Sequence, residues 1–421
     1  MAVRGFLPAR RGPFHPPDLL SELRAGDPIT RVTLCDGRQA WLVTRYEDAR
    51  SVLCDPRFSA DATNPGMPSL SPGRVFPSER RTMSRTDGPR HAALRGVLAP
   101  EFTPERVAGL APIVERIVAK AIDDMLAEDA RPVDFHAAFA VPVPGRLVCA
   151  LLGVPDGDQA RLRSWAKILT SRTTTAGELV AADDALYAYC TGLVARRLAE
   201  PAEVAEVAEP TEVAEPTGVG AAGEVGVDML GRLVDRGVRT GRLTSRELSL
   251  MVKLLVVAGH EPTANMISLA TLTLLLTPGW YGAMGAEPGA VSGAVEELLR
   301  YHTLMHDGLP RVATEDVDVG GVAIRAGDGV IVSLASGNRD AAVFDRPNEL
   351  DMFRPNAESH LAFGAGAHQC VARELARAEL RLALRTLAAR IPTLQLAVPF
   401  ADISFMEDMH IYGVRELPVT W

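Results

Sequence analysis

The sequence predicts a mainly α-helical fold with a smaller β-rich lobe, and three observations carry that expectation. Capped apolar series at helical spacing run through residues 103–199 and 244–301. A further helical stretch fills 371–390. Strand-like alternation is confined to the first 45 residues, to 312–334 and to the C-terminal end.

Taken in order, a short helix at Asp18–Arg24 precedes two alternating runs, Arg31-Val-Thr-Leu and Ala40-Trp-Leu-Val-Thr, which read as a hairpin. Residues 58–85 are rich in proline and serine without a period, a length at which a structureless loop is usually functional, so this loop is expected to cover a pocket. Thr103-Pro-Glu-Arg sets a cap and an N1 proline before the series Val107, Leu110, Val114, Ile117, Val118, Ile122 and Met125. Helices follow at roughly 137–152, 158–171 and 178–199. From Glu200 to Glu215 a glutamate falls at every third residue, interrupted by prolines. That period suits neither helix nor strand, so a flexible acidic insertion is expected at about 200–224 within a single domain spanning 1–421. Thr244-Ser-Arg-Glu247 is a capping box that opens the longest helix, to about Leu276. A helix near 287–301, short strands over 312–334, a helix at 371–390 and C-terminal strands complete the chain.

Composition narrows the function. Hydrophobic residues make up 47% and charged residues 23% of the 421, enough for a large core. The net charge of −9 disfavours a nucleic-acid surface, which needs a basic face. Most of it resides in the acidic insertion, which leaves the rest nearly neutral. Five scattered cysteines and a start without the plan of a signal peptide point to a reduced cytoplasm. The longest apolar stretch, Leu248–Leu276, holds Lys253, His260, Glu261 and Pro262, so no membrane span is expected.

The sharpest motif is Phe363-Gly-Ala-Gly-Ala-His-Gln-Cys370, directly before a helix. N–H donors and the helix dipole favour a thiolate there, able to bind a soft metal. Gly364 and Gly366 permit a tight loop that can approach a flat ligand. An isolated buried cysteine is otherwise a small core residue. Two further motifs shift the balance: Glu297-Leu-Leu-Arg300 on a helix, and Asn338-Arg-Asp340 with Phe344 and Arg354. Together with the Cys370 loop they resemble the cytochrome P-450 family, over nearly the whole chain.

The resemblance implies the cytochrome P-450 fold, haem b with Cys370 as the axial iron ligand, and dioxygen as co-substrate. It implies that His91, Arg95, Arg311 and His368 hold the haem propionates. Burying carboxylates beside apolar rings needs such charge-assisted partners, and His91 and Arg95, at i and i+4, face one way. It also implies that Phe363 and Gly364 shape the cysteine loop, that Ala258 and Gly259 lie against the haem, and that Glu297 and Arg300 form a structural ion pair closed by Arg354. The pocket is expected along the 58–85 loop, the 171–178 turn, Val257–Glu261, Leu304–Leu309 and Ser404–Met406, with Val257, Leu304, Met305, Phe405 and Met406 facing a largely apolar substrate. Within the family, Ala258-Gly-His-Glu-Pro-Thr-Ala-Asn-Met-Ile and the ending Leu417-Pro-Val-Thr-Trp421 resemble soluble actinobacterial tailoring and detoxifying enzymes.

The implied activity is monooxygenation, most simply hydroxylation of a secondary metabolite or xenobiotic. Electrons would come from ferredoxin and ferredoxin reductase, with NAD(P)H acting only through them. Arg373, Arg377, Arg381 and Arg385 recur every fourth residue after the cysteine, a stripe that reads as a solvated face or as a docking patch centred on Arg373 and Arg377. A monomer without nucleic-acid or membrane partners is expected. Two departures stand out. Ala372 replaces the usual glycine, a tolerable change. Pro262 stands where the family commonly has a threonine after the acid, here Glu261; Thr263 is one residue on, rotated by about 100°. That leaves proton delivery to Glu261, and it admits a non-hydroxylating oxidation such as aryl coupling. A haem-binding accessory protein without turnover is a third reading, opposed by the intact Cys370.

Overall fold

The computed structural model describes residues 4–6, 10, 12–70, 80–201 and 228–421. In chain order its first elements are β1 (Arg4–Gly5), α1 (Asp18–Gly26), β2 (Ile29–Thr33), β3 (Gln39–Val43), α2 (Tyr46–Cys54), β4 (Phe58–Ser59), α3 (Gly88–Leu98), α4 (Pro104–Leu126) and β5 (Val133–Asp134). A π-helical turn at His136–Ala140 leads into α5 (Pro142–Leu152), followed by α6 (Gln159–Thr170), α7 (Ala176–Ala199), α8 (Met229–Leu233), α9 (Ser245–Leu276), α10 (Trp280–Ala286) and α11 (Pro288–His302). The chain ends through β6 (Leu309–Ala313), β7 (Val317–Val319), β8 (Val322–Ile324), β9 (Gly329–Val332), α12 (Leu334–Gly337), α13 (Arg373–Arg390), β10 (Gln395–Leu396) and β11 (Pro418–Thr420). The architecture is mainly helical with a small sheet lobe, as the sequence predicts. The acidic insertion from residue 202 onward and residues 71–79 of the covering loop lie outside the described residues.

Local chemistry explains the long helices. Thr244 accepts from the Glu247 N–H while the Glu247 carboxylate accepts from the Thr244 N–H, closing both ends of a capping box at the start of α9. Thr175 and Glu178 repeat the device on α7, which therefore starts two residues earlier than the apolar series suggests. Thr103 caps α4 ahead of Pro104. The helices bury one continuous core that includes Val118, Ile122, Phe139, Leu147, Ile267, Leu269, Leu298 and Leu384. At its centre α9 packs against α5, α6, α7, α11 and α13. Most of α9 is buried, which suits a helix apolar around nearly its whole circumference.

The main sheet has the order β1-β2-β3-β9-β6-β4. Residues 29–33 and 39–43 form the expected antiparallel hairpin, with Arg31 opposite Trp41. Its β3 edge then pairs in parallel with β9, Leu42 opposite Ile331, joining the N-terminal lobe to the C-terminal half. Among the described residues no helix is long and apolar enough to cross a membrane.

Candidate active site

Cys370 is half-buried, two residues before the N-cap of α13. Its N–H donates to the Phe363 carbonyl at 2.9 Å, closing the loop across Gly364 and Gly366. Both glycines sit at φ +69°, a left-handed conformation costly for other residues. A Cβ on Gly366 would also lie 2.3 Å from the Leu53 carbonyl oxygen at the end of α2, so the loop docks there only with glycine. Burial pushes the Cys370 thiol above its ordinary pKa, opposed by the Ala372 N–H and by Arg95, Arg373 and Arg377. The helix terminus alone therefore does not make a thiolate here; a cation at the sulfur would. Among the described residues no group of three or more His, Cys, Asp and Glu side chains could hold a metal ion.

Cationic groups gather beside this loop. His368 stacks on His91 with ring centroids 4.2 Å apart. The other face of the cluster is Arg311, only 5% exposed, whose one side-chain hydrogen bond among the described residues goes to the adjacent Pro310 carbonyl at 2.9 Å. Burial first, then the like charge of half-buried Arg85, pulls the Arg311 guanidinium down to about 10, with Asp87 opposing. His91 is held down to about 4 by burial, then by His368 and Arg95. A buried guanidinium such as Arg311, with one backbone acceptor among the described residues, is costly unless an anion joins it. A propionate is such an anion, and the site fits haem on that ground. Arg95 forms no ion pair among the described residues and lies within the field of Cys370 and Arg373 rather than of Arg311.

Sequence reasoning missed Asp87. Its carboxylate accepts from His368 Nε2 at 2.9 Å, from the Ser59 hydroxyl at 2.6 Å and from the Ala60 N–H at 3.0 Å. Burial raises its pKa, but those bonds outweigh it and hold the group at about 2. Asp87 thereby fixes the ring of His368 and ties the covering loop to the cysteine loop.

On α9 a helical turn of about 100° per residue places Leu254, Ala258 and Pro262 on one face, with Val256 and His260 opposite. Ala258 is exposed and Val257, Gly259 and Pro262 half-buried in an otherwise buried helix, so this face lines an interior space. The helix runs unbroken across Pro262. Glu261 is buried and its pKa is raised by that burial, against Lys167 and Arg163. Its nearest ring is His260, Nδ1 to Oε1 3.7 Å. Thr263 is buried and turned towards the Val256 side, away from Ala258 and Pro262. A cavity of about 380 Å³ lined by Val256, His260 and Arg163 lies on that opposite side, between α5, α6 and α9.

Three of the expected pocket segments lie together: the 171–178 turn, Leu304–Leu309 and the C-terminal stretch around 404–412. The Tyr412 N–H donates to the Leu304 carbonyl at 2.9 Å, and the His410 N–H to the Thr170 carbonyl at 3.0 Å. Asp307, another residue missed from the sequence, accepts from His410 Nδ1 at 2.7 Å, with Arg172 3.4 Å away. Phe405 lies parallel to Tyr412, its centroid 5.9 Å away, and Met305 is half-buried; Leu304 and Met406 are buried.

Behind the site, Glu297 accepts from Arg300 Nε and Nη2, each at 2.7 Å, from Arg354 Nε at 3.0 Å and from the Asp351 N–H at 2.9 Å. All three side chains of this triad are buried. Arg377, expected in the docking patch, is tightly paired. Its Nε and Nη2 both reach Glu296 at 2.9 Å, Nη1 reaches Glu374, and the guanidinium lies 4.9 Å from the Phe363 ring centroid. Arg373 is more exposed and, among the described residues, pairs with Glu374.

Comparison with known proteins gives a consistent result. The family model described as Cytochrome P-450 matches residues 24–390. Cytochrome P-450-SU2 of Streptomyces griseolus is 42% identical over 99% of this chain and 96% of its own length. Pentalenic acid synthase of Streptomyces avermitilis is 40% identical over 98% and 96%. The crystal structure of CYP105P1 in complex with filipin I superposes with a TM-score of 0.88 at 36% identity, covering 99% of each chain.

Proposed function

The chain belongs to the cytochrome P-450 family and is a monooxygenase, and on that premise we propose that Cys370 ligates the iron of haem b in an enzyme that hydroxylates a largely apolar small molecule. The observation that carries the assignment is the cysteine loop set beside the stacked His91–His368 pair and buried Arg311. Bound haem supplies the iron centre at which dioxygen is reduced by two electrons and an oxygen atom reaches the substrate. His91, Arg95, Arg311 and His368 would hold the two propionates, with Arg85 beside Arg311. Ala258 and Gly259 would lie against the haem. Glu261, its pKa raised by burial, is the carboxyl placed to exchange a proton with ordered water.

The substrate is read as a secondary metabolite or xenobiotic, since relatives include pentalenic acid synthase and a filipin complex. Val257, Met305 and Phe405 would meet it. Ferredoxin, reduced by its NAD(P)H-dependent reductase, is the proposed electron donor, approaching the N-terminal end of α13 at Arg373. We read the enzyme as a cytoplasmic monomer. Pro262 favours one second reading, an oxidation such as aryl coupling in which the substrate or water takes the place of the missing alcohol.

The test is spectral and chemical. The reduced carbon monoxide complex should show the red-shifted Soret band of thiolate ligation, and Cys370→Ala should abolish it. Retention of that band in the variant would refute the ligand assignment. Product analysis with ferredoxin, reductase and NAD(P)H separates hydroxylation from coupling and from no turnover.

A further inference from the structure

Glu296 precedes the buried Glu297 on α11, is itself 7% exposed, and takes no part in the triad. Three side chains converge on it instead. Arg377 Nε lies 2.9 and 3.0 Å from its two oxygens, and Arg377 Nη2 adds a third bond at 2.9 Å. Arg381 Nη2 donates at 3.2 Å, and His360 Nε2 stands 3.2 Å away. The Ala362 N–H donates to His360 Nδ1 at 3.1 Å, which leaves Nε2 on the Glu296 side, within ion-pair distance but without a hydrogen bond to it. Burial raises the carboxyl, yet His360 and Arg377 more than offset it and hold it at about 2.

Two of these partners touch the same ring. Arg377 lies over Phe363 at 4.9 Å, and the His360 ring centroid is 5.6 Å from that of Phe363. Phe363 in turn accepts the Cys370 N–H through its carbonyl. A guanidinium on an aromatic face is attracted by the ring quadrupole, and a bidentate carboxylate removes its freedom to swing away. Glu296 thus reaches the sulfur ligand in two steps: through Arg377 and His360 to the Phe363 ring, and through the Phe363 backbone to Cys370.

We propose that Glu296 is a positioning residue for the cysteine loop, fixing the Phe363 ring through Arg377 and His360 and so setting the environment of the Cys370 sulfur. The proposal rests on Cys370 being the haem ligand. Local polarity and hydrogen bonding around a ligating thiolate tune the reduction potential of its iron, so the readout is that potential rather than turnover.

The test uses haem-loaded protein in four forms: parent, Glu296→Gln, Phe363→Leu and the double variant, each with its unfolding temperature. At a fixed poise, Glu296→Gln should change the ferric-to-ferrous ratio at least threefold, which is about 28 mV for one electron. In the Phe363→Leu background the same substitution should add less than 1.5-fold, because the ring through which it acts is gone. Arg377→Lys, which keeps the charge but loses the flat fork, should reproduce the parent-background shift and serves if Glu296→Gln loads haem poorly. A lowered unfolding temperature with an unchanged potential would reduce Glu296 to a structural clamp and overturn the proposal. An equal shift in both backgrounds would overturn it too, since charge would then act on the iron directly. Failure of the ligand assignment looks different: the parent itself would lack the thiolate-type carbon monoxide band.

Discussion

Replacing Arg311 should stabilise the haem-free protein while weakening its hold on haem. The guanidinium is 5% exposed, and burial, followed by Arg85, pulls it well below its ordinary value, to about 10. A depression of that size disfavours the charged form in the fold by about 3 kcal/mol. Because both folded and unfolded values lie far above neutrality, the penalty is fully present at pH 7 and is relieved only as pH approaches 10. Arg311→Met keeps the side-chain length, removes the charge and gives up one hydrogen bond to the Pro310 carbonyl, worth about 1–2 kcal/mol. The haem-free variant should therefore gain about 1–2 kcal/mol in urea unfolding, as when a buried ion yields to an apolar residue. With haem present the sign reverses, because a propionate loses a charge-assisted bond worth about 1.5–3 kcal/mol. Haem affinity, measured by transfer to an excess of apomyoglobin, should fall about tenfold to a hundredfold. A variant that is less stable without haem, or that retains parental affinity, would show that Arg311 is not a cation held in reserve for an anion.

Other expectations follow from the same geometry. Glu297→Gln should cost about 3–5 kcal/mol in unfolding free energy, because an amide sets N–H donors against Arg300 and Arg354; a loss under about 1 kcal/mol would contradict the buried-triad reading. His136 is pushed down to about 4 chiefly by burial and meets the Ser268 hydroxyl at 2.9 Å. Its folded value lies below the unfolded one, so it should withdraw about 3 kcal/mol of stability as pH falls from about 6.5 to 4. His136→Gln should flatten the stability–pH slope in that window, and an unchanged slope would disprove the contribution. Pro262→Thr regains an N–H for the Ala258 carbonyl and supplies the missing alcohol. It should lower peroxide formed per NADPH with a poorly fitting ligand, whereas equal peroxide in a well-folded variant would make Pro262 a neutral feature.

What was legible in the sequence was local. The capping box at Thr244 and Glu247 lies within four residues and announced α9; the cysteine loop, eight residues long, carried its own glycines. Glu297 and Arg300 were visible as a pair one helical turn apart. Asp87 and Glu296 were not, because their partners come from elsewhere: His368 is 281 residues from Asp87, and Arg377 is 81 from Glu296. Asp87 is the N-cap of α3, yet its side chain makes no capping bond and turns to Ser59 and His368 instead. The partners of Arg377 were hidden for the same reason: a four-residue stripe describes a helix face but not what lies across from it. The π-helical turn at His136–Ala140 left no periodic mark within the apolar run it interrupts.

The parallel pairing of β3 with β9 bears on how the protein is made. Trp41 pairs with Val330, so a hairpin complete within the first 45 residues keeps one edge open until about 290 more have been joined. At bacterial elongation rates that is roughly 15–60 s, during which the edge could recruit a foreign strand. Arg311 on β6 is made just before β9, and Cys370 emerges after both, so the strand that carries Arg311 gains its β9 neighbour and the sulfur loop appears only late in synthesis.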